Sequence, residues 1–314
     1  MKILLNTSLP DDQLALIRAV SPAVEVLIPG DRKKALDLMP EAEVVFGGFN
    51  REMFVRGERL RWVQVESAGV DGILFREFVE SDVILTSSKG HVGIALAEQA
   101  MALLLSLTRG VAYAFRHPTW SSGGPIRRMM WELTDMTMGI LGLGGTGIEL
   151  AKRAHAFGMR VIALDPEDIA PPPGVEAVYG MDRLNDLLSA SDVVAVCAPL
   201  APQTEGLLNL SAFRRMKRTA LLINVTRGRI VDGDALMQAL EQRLIAGAGL
   251  DVVPWEPLPD DHPLWRMENV VITPHVAGGS PHRVRRNVAL FCENLRRLLA
   301  GQPLTSVIDK RKGY

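Results

Sequence analysis

Residues 137–158 read TMGILGLGGTGIELAKRAHAFG. A short apolar run passes into a glycine-rich turn, and the turn into an amphipathic stretch of helical period. The glycines stand as Gly142-x-Gly144-x-x-Gly147, the spacing of a strand–turn–helix that receives a dinucleotide. Gly142 permits the tight turn. Gly144 lacks the Cβ that would keep a pyrophosphate at a distance, and Gly147 lets the helix lie close on the strand. The start of the helix then offers unpaired N–H groups and a positive dipole end to the phosphates. A second strand candidate, RVIALD, ends in Asp165, about 20 residues on, where a carboxylate binds the ribose 2′-hydroxyl. That carboxylate repels a 2′-phosphate, so the pattern expects NAD rather than NADP. Arg160, at the start of the same strand, stands too far away to rescue a 2′-phosphate.

The alternation continues on both sides of this turn. Strand candidates at Met138–Leu143, Arg160–Asp165, Val193–Ala198, Ala220–Val225, Ala248–Val253 and Val270–Thr273 make six after residue 137, with helix candidates such as Thr146–Phe157 and Asp234–Gln242 between most of them. VVAVCA and ALLINV are apolar throughout, as central strands covered on both faces must be. The order predicts an α/β fold with a doubly wound parallel Rossmann-type sheet. Before it, short runs at Lys2–Asn6, Val24–Ile28, Val44–Gly47, Val63–Glu66 and Val83–Thr86 alternate with helix candidates at Asp11–Val20 and Asp31–Met39, which predicts a second, smaller α/β domain. Ile94–Leu107 is a long apolar helix candidate, and the following HPTWSSGGPIRR (117–128) reads as a boundary.

The composition excludes several classes. The 314 residues are 47% hydrophobic and 23% charged, with a formal net charge of -1. No global basic field is available to attract nucleic acid or an anionic membrane. Cys197 and Cys292 form no CxxC, and His117, His155, His262 and His282 show no metal-ligand spacing, so neither a disulfide framework nor a metal site is expected. The opening apolar run stops at Asn6, too short for a secretory h-region, and no run approaches the ~18 residues of a membrane span. The reading is a cytoplasmic protein.

Three later segments place a polar residue just after an apolar run: NVTRGRIVD (224–232), LDVVPWEPLP (250–259) and VITPHVAGG (271–279). In an open α/β sheet the carboxyl ends of the strands line the ligand crevice. Arg227, Glu256 and His275 are therefore expected to converge.

With GLGGTG, the strand-end Asp165, the RG of NVTRG, the EP of VPWEP and the PH of TPHVAG, the sequence resembles the D-isomer-specific 2-hydroxyacid dehydrogenases over nearly its whole length. The resemblance implies an NAD-dependent enzyme that moves a hydride between the cofactor and a small 2-hydroxy or 2-keto acid, as glyoxylate and hydroxypyruvate reductases do. It gives Arg227 the substrate, His275 the acid–base role and Glu256 the support of His275. Such residue types suit the task. An imidazole gives and takes a proton near neutral pH, a neighbouring carboxylate favours its charged form, and a guanidinium grips a carboxylate or polarises a carbonyl.

By the same resemblance, Ala68, Gly69 and Val70 of ESAGVD (66–71) hold the substrate carboxylate through backbone N–H groups. The cofactor set is Gly142, Gly144, Gly145, Thr146, Gly147, Asp165, Ala198, Pro199, Thr204, Val225, Thr226, Arg227, Asp251 and His275. Thr146 stands where an aliphatic residue is usual, Ala201 where a threonine is common, and Thr226 where alanine or serine is frequent. The resemblance also implies a discontinuous, flavodoxin-like substrate domain of residues 1–93 and 284–314, a dinucleotide domain of residues 94–283, and a homodimer formed through the latter. Two alternatives share the pattern: a non-catalytic NAD-responsive dimeric regulator, and a dehydrogenase of another small anion such as phosphite. Glu256 argues against the formate branch, which carries an amide there. His91 reads as a solvated loop residue, Trp255 as a packing aromatic, and Arg283, Arg285, Arg286, Arg296 and Arg297 as a solvated or interface face.

Overall fold

In the computed structural model, which describes residues 1–314, every ladder between strands is parallel. The chain divides into two units. The first comprises Met1–Val92 and Ser280–Tyr314. Its strands are β1 (Lys2–Asn6), β2 (Glu25–Leu27), β3 (Val44–Gly47), β4 (Trp62–Gln64) and β5 (Ile84–Thr86), connected through α1 (Asp11–Arg18), α2 (Arg32–Leu38), α3 (Arg51–Arg56) and α4 (Arg76–Val79). The order β2-β1-β3-β4-β5 is the flavodoxin-like winding. Asp31 and Asn50 start α2 and α3 by accepting from the N–H groups of Lys34 and Met53.

The second unit, Gly93–Gly279, begins with α5 (Gly93–Thr108), α6 (Val111–Arg116) and α7 (Gly123–Met129). There follow β6 (Thr137–Leu141), α8 (Gly145–Ala156), β7 (Arg160–Leu164), β8 (Ala177–Tyr179), α9 (Leu184–Ala190), β9 (Val193–Val196), α10 (Leu210–Arg215), β10 (Leu221–Asn224), α11 (Gly233–Glu241), β11 (Gly247–Leu250) and β12 (Val270–Ile272). The sheet order β12-β11-β10-β9-β6-β7-β8 reverses direction between β6 and β9, the switch point at which doubly wound sheets bind ligands. Alternation along the strands separates the two cores. Met138 and Ile140, Val161 and Ala163, Val193 and Ala195 face the layer holding α5 and α8. Leu141, Ile162, Leu164, Val194 and Val196 face the layer holding α10 and α11. Burial on both sides is why these strands are apolar without interruption.

α12 (Arg283–Leu299) returns the chain to the first unit. Its Val288, Phe291, Cys292 and Leu295 repeat with helical period and pack with Ile3, Phe46 and Trp62. The Phe291 ring stacks at 4.4 Å on Phe46 and 4.9 Å on Trp62, centroid to centroid. Burying each such side chain contributes about 1.5–3 kcal/mol, which is what ties the C-terminal segment to the first sheet.

Two expectations are corrected. The second sheet has a seventh strand, β8, a three-residue edge strand half-buried at every position; without a buried face it carries no alternation to betray it. The 117–128 stretch is no boundary. It lies inside the second unit and folds partly as α7. Just before it, Arg116 fixes the chain by donating to the carbonyls of Met267, Glu268 and Val270 at 3.2, 2.9 and 2.6 Å. No helix is long and apolar enough to cross a membrane.

Candidate active site

The glycine turn forms because side chains have no room there. Gly142 takes φ +93°, and a Cβ on it would fall 2.6 Å from Ala198 Cα, so the turn after β6 meets the loop after β9 backbone to backbone. A Cβ on Gly147 would stand 2.1 Å from the Gly142 carbonyl oxygen. At Gly144 the reverse holds, since a Cβ there meets nothing within 4 Å. Open space at this position, at the start of the 12-residue α8 with no side chain capping it, is what a pyrophosphate requires. The Asp165 carboxylate accepts from the N–H groups of Leu143 at 2.8 Å and Glu167 at 3.0 Å. It is thereby held beside the turn, as an acid that reads a ribose hydroxyl must be. The residues present fit an adenine dinucleotide.

Thr204 and Thr226 are turned inward. The Thr204 hydroxyl accepts from the Ala201 N–H at 2.8 Å and donates to the Pro199 carbonyl at 2.7 Å; it closes its own loop. The Thr226 hydroxyl donates to the Val196 carbonyl at 3.4 Å, and Val225 is buried. From these three positions, main chain rather than side chain is left to meet a ligand. Beside that loop Cys197 is no nucleophile, because burial pushes its thiol up to about 12.

Arg227, Glu256 and His275 follow β10, β11 and β12, three neighbouring parallel strands. The Arg227 carbonyl accepts from the Asn224 side-chain amide at 3.0 Å, and its guanidinium donates to the Thr226 carbonyl at 2.8 Å. Gly228 lies so close to the next loop that a Cβ on it would fall 1.8 Å from the Val253 carbonyl oxygen. Val253 in turn donates its N–H to Glu256 Oε1 at 3.2 Å, and Glu256 Oε2 meets His275 Nδ1 at 2.7 Å. One run of contacts thus leads from the arginine loop to the histidine. Engagement of Nδ1 leaves Nε2 to exchange a proton, on a side chain that is 51% exposed.

The Asp251 carboxylate, assigned to the cofactor by resemblance, also braces the turn after β12. It is buried and accepts from the Thr273 hydroxyl at 2.6 Å and the N–H groups of Val276 and Ala277 at 3.0 and 2.8 Å. Thr273 also accepts from the Gln99 side-chain amide at 2.9 Å. Neither Gln99 nor Thr273 was singled out from sequence; the available signal was an amide beside Glu98 in a mostly apolar helix. Trp255 packs its ring over Gly233, where a Cβ would fall 2.2 Å away, and stands 5.0 Å from the His262 ring.

In the first unit, the N–H groups of Ala68, Gly69 and Val70 enter no hydrogen bond of that unit. The Val70 side chain is buried in the core. Ser67 fixes the loop, donating its hydroxyl to the Gly69 carbonyl at 2.8 Å and accepting on its carbonyl from the Ser88 N–H at 3.0 Å. His91 is half-buried rather than solvated, and burial together with the Arg286 charge lowers its imidazole from its ordinary value.

Comparison with known proteins agrees with this geometry. Residues 101–277 match the NAD binding domain of the D-isomer specific 2-hydroxyacid dehydrogenases. A glyoxylate reductase of Korarchaeum cryptofilum is 35% identical, over 92% of this chain and 87% of that protein. The human glyoxylate reductase/hydroxypyruvate reductase is also 35% identical, over 80% of this chain and 77% of its own. Among solved structures, a D-isomer specific 2-hydroxyacid dehydrogenase from Xanthobacter autotrophicus, in complex with NADPH and MES, superposes with a TM-score of 0.85 at 30% identity, covering 100% of this chain and 99% of that one.

Proposed function

The chain belongs to the D-isomer-specific 2-hydroxyacid dehydrogenase family, and from that premise we propose that it is an NAD-dependent reductase of small 2-keto acids. The observation that carries the reading is the His275–Glu256 pair at 2.7 Å, mounted on the same sheet as the open glycine turn. When bound, the nicotinamide supplies the hydride to C2. His275 donates the proton to the keto oxygen from Nε2, while Glu256 holds Nδ1 and offsets the imidazolium charge. Arg227 grips the carboxylate and polarises the keto group. In the first unit, the backbone N–H groups of Ala68, Gly69 and Val70 are the candidates for holding a substrate carboxylate. The balance is one keto acid, one hydride and one proton giving one hydroxy acid. Steady-state oxidation of NADH over 2-keto acids graded in size from glyoxylate and hydroxypyruvate tests the reading, and the absence of turnover with every one of them overturns it.

Asp165 supports NAD over NADP, although the superposable enzyme carries NADPH. Asp165→Ala removes a charged hydrogen-bond acceptor and a repulsive charge together. The NADH-to-NADPH preference in kcat/KM then narrows by at least about tenfold. An unchanged ratio would show that this acid does not read the ribose.

The partner we propose is a second copy of the chain. The segment 111–130 exposes Val111, Phe115, Trp120, Met129 and Met130, with Phe115 83% exposed and Trp120 fully so, and exposed apolar side chains gathered on one segment suit an association surface. Light scattering should return twice the 34.3 kDa chain mass, and Trp120→Ser should shift that mass toward one chain. The two buried free thiols, Cys197 and Cys292, suit the reducing cytoplasm as the site of action.

A further inference from the structure

His275 sits at φ +53°, a left-handed conformation that a side chain disfavours. Such strain persists only where the surroundings over-determine it, and here Asp251 supplies most of the contacts, beside the Thr273 carbonyl, which also accepts from the His275 N–H at 3.0 Å. The Asp251 carbonyl accepts from the His275 N–H at 2.7 Å, and the Asp251 carboxylate takes the N–H groups of Val276 and Ala277. That carboxylate also takes the Thr273 hydroxyl at 2.6 Å. A hydroxyl has a single proton, and this one goes to Asp251, so the Gln99 amide at 2.9 Å meets the Thr273 oxygen as donor. The direction of the whole chain, from Gln99 through Thr273 to Asp251, is therefore fixed.

Gln99 stands on α5, and α5 reaches the phosphate-binding turn as well. A Cβ on its first residue, Gly93, would fall 2.6 Å from the Gly145 carbonyl oxygen, and Glu98 pairs with Arg153 of α8 at 3.2 Å. One helix thus leans on the turn that would hold the cofactor and, through a single amide, on the turn that holds the acid–base histidine.

We infer that Gln99 is a positioning residue for proton transfer, acting through Thr273 and Asp251 to hold His275 in the left-handed geometry in which Nδ1 meets Glu256. The inference rests on the reading of His275 as the acid–base group. Gln99 touches neither substrate nor reacting atom; its contribution is the placement of Nε2.

Three variants of the full chain test it: Gln99→Leu, Thr273→Val and Thr273→Ser. In the first two, kcat falls about tenfold, as for a displaced catalytic group, while KM for the keto acid and Kd for NADH stay within about twofold. Serine keeps the hydroxyl, so Thr273→Ser restores most of kcat. Hydrogen exchange at the amides of Val276 and Ala277 accelerates in Gln99→Leu and Thr273→Val and not in Thr273→Ser. Parental kcat in both Gln99→Leu and Thr273→Val overturns the inference. So does a Thr273→Ser variant as slow as Thr273→Val at an unchanged Tm. If the parent turns over no 2-keto acid, the proposed function fails instead. Exchange then decides the matter alone, and unaltered protection at Val276 and Ala277 in Thr273→Val overturns the positioning chain.

Discussion

His275→Gln lowers turnover of the keto acid by at least about 100-fold, the low end for loss of an acid–base group, and leaves NADH binding nearly intact. The amide of glutamine can still meet Glu256, which holds His275 Nδ1 at 2.7 Å in the parent, but it has no proton to give at neutral pH. The glycine turn, Asp165 and the start of α8 are untouched, so the cofactor should bind as before. Steady-state kinetics with a fluorescence titration of NADH separates the two effects. Full activity in this variant would remove His275 from the mechanism.

Gly228→Ala has an effect of similar size for a different reason. The added methyl would stand 1.8 Å from the Val253 carbonyl oxygen and 2.1 Å from its carbon, and backbone atoms cannot swing away as the tip of a side chain can. The loops after β10 and β11 must then part. One carries Arg227. The other carries Glu256, tied to the Val253 N–H at 3.2 Å. Separating substrate grip from proton transfer by about an ångström costs on the order of 100-fold in kcat/KM, and overpacking costs about 1–3 kcal/mol of stability. The expected outcome is a folded chain with a lowered Tm, a near-parental Kd for NADH and a collapsed kcat/KM. A parental kcat/KM would show that the two loops act independently.

These residues differ in how openly the sequence announces them. The placement of Arg227, Glu256 and His275 after neighbouring strands was legible because a parallel sheet sends every strand end to the same edge, and each follows an apolar run. The glycine turn was legible because its three glycines answer separate steric demands, close backbone contact at Gly142 and Gly147 and open space at Gly144. Thr204, Thr226 and Asp251 were assigned by position in a pattern, and position does not report the hydrogen bonds their side chains make within the unit. Thr204 closes its own loop, and Asp251 props the histidine turn. β8 escaped because an edge strand has no buried face to impose a period on its residues. The 117–128 stretch misled because glycine and proline mark a change of direction as readily as a domain limit. Gln99 and Thr273 are separated by 174 residues, and no local pattern reports a hydrogen bond across that distance.

The most direct measurement counts the NADH consumed against the hydroxy acid formed and determines the handedness of the product, with hydroxypyruvate and larger 2-keto acids as substrates. One D-hydroxy acid is expected for each NADH oxidised. NADH that binds at the glycine turn yet is never consumed, as in a regulatory dimer, or that is consumed to give the L acid, would contradict it.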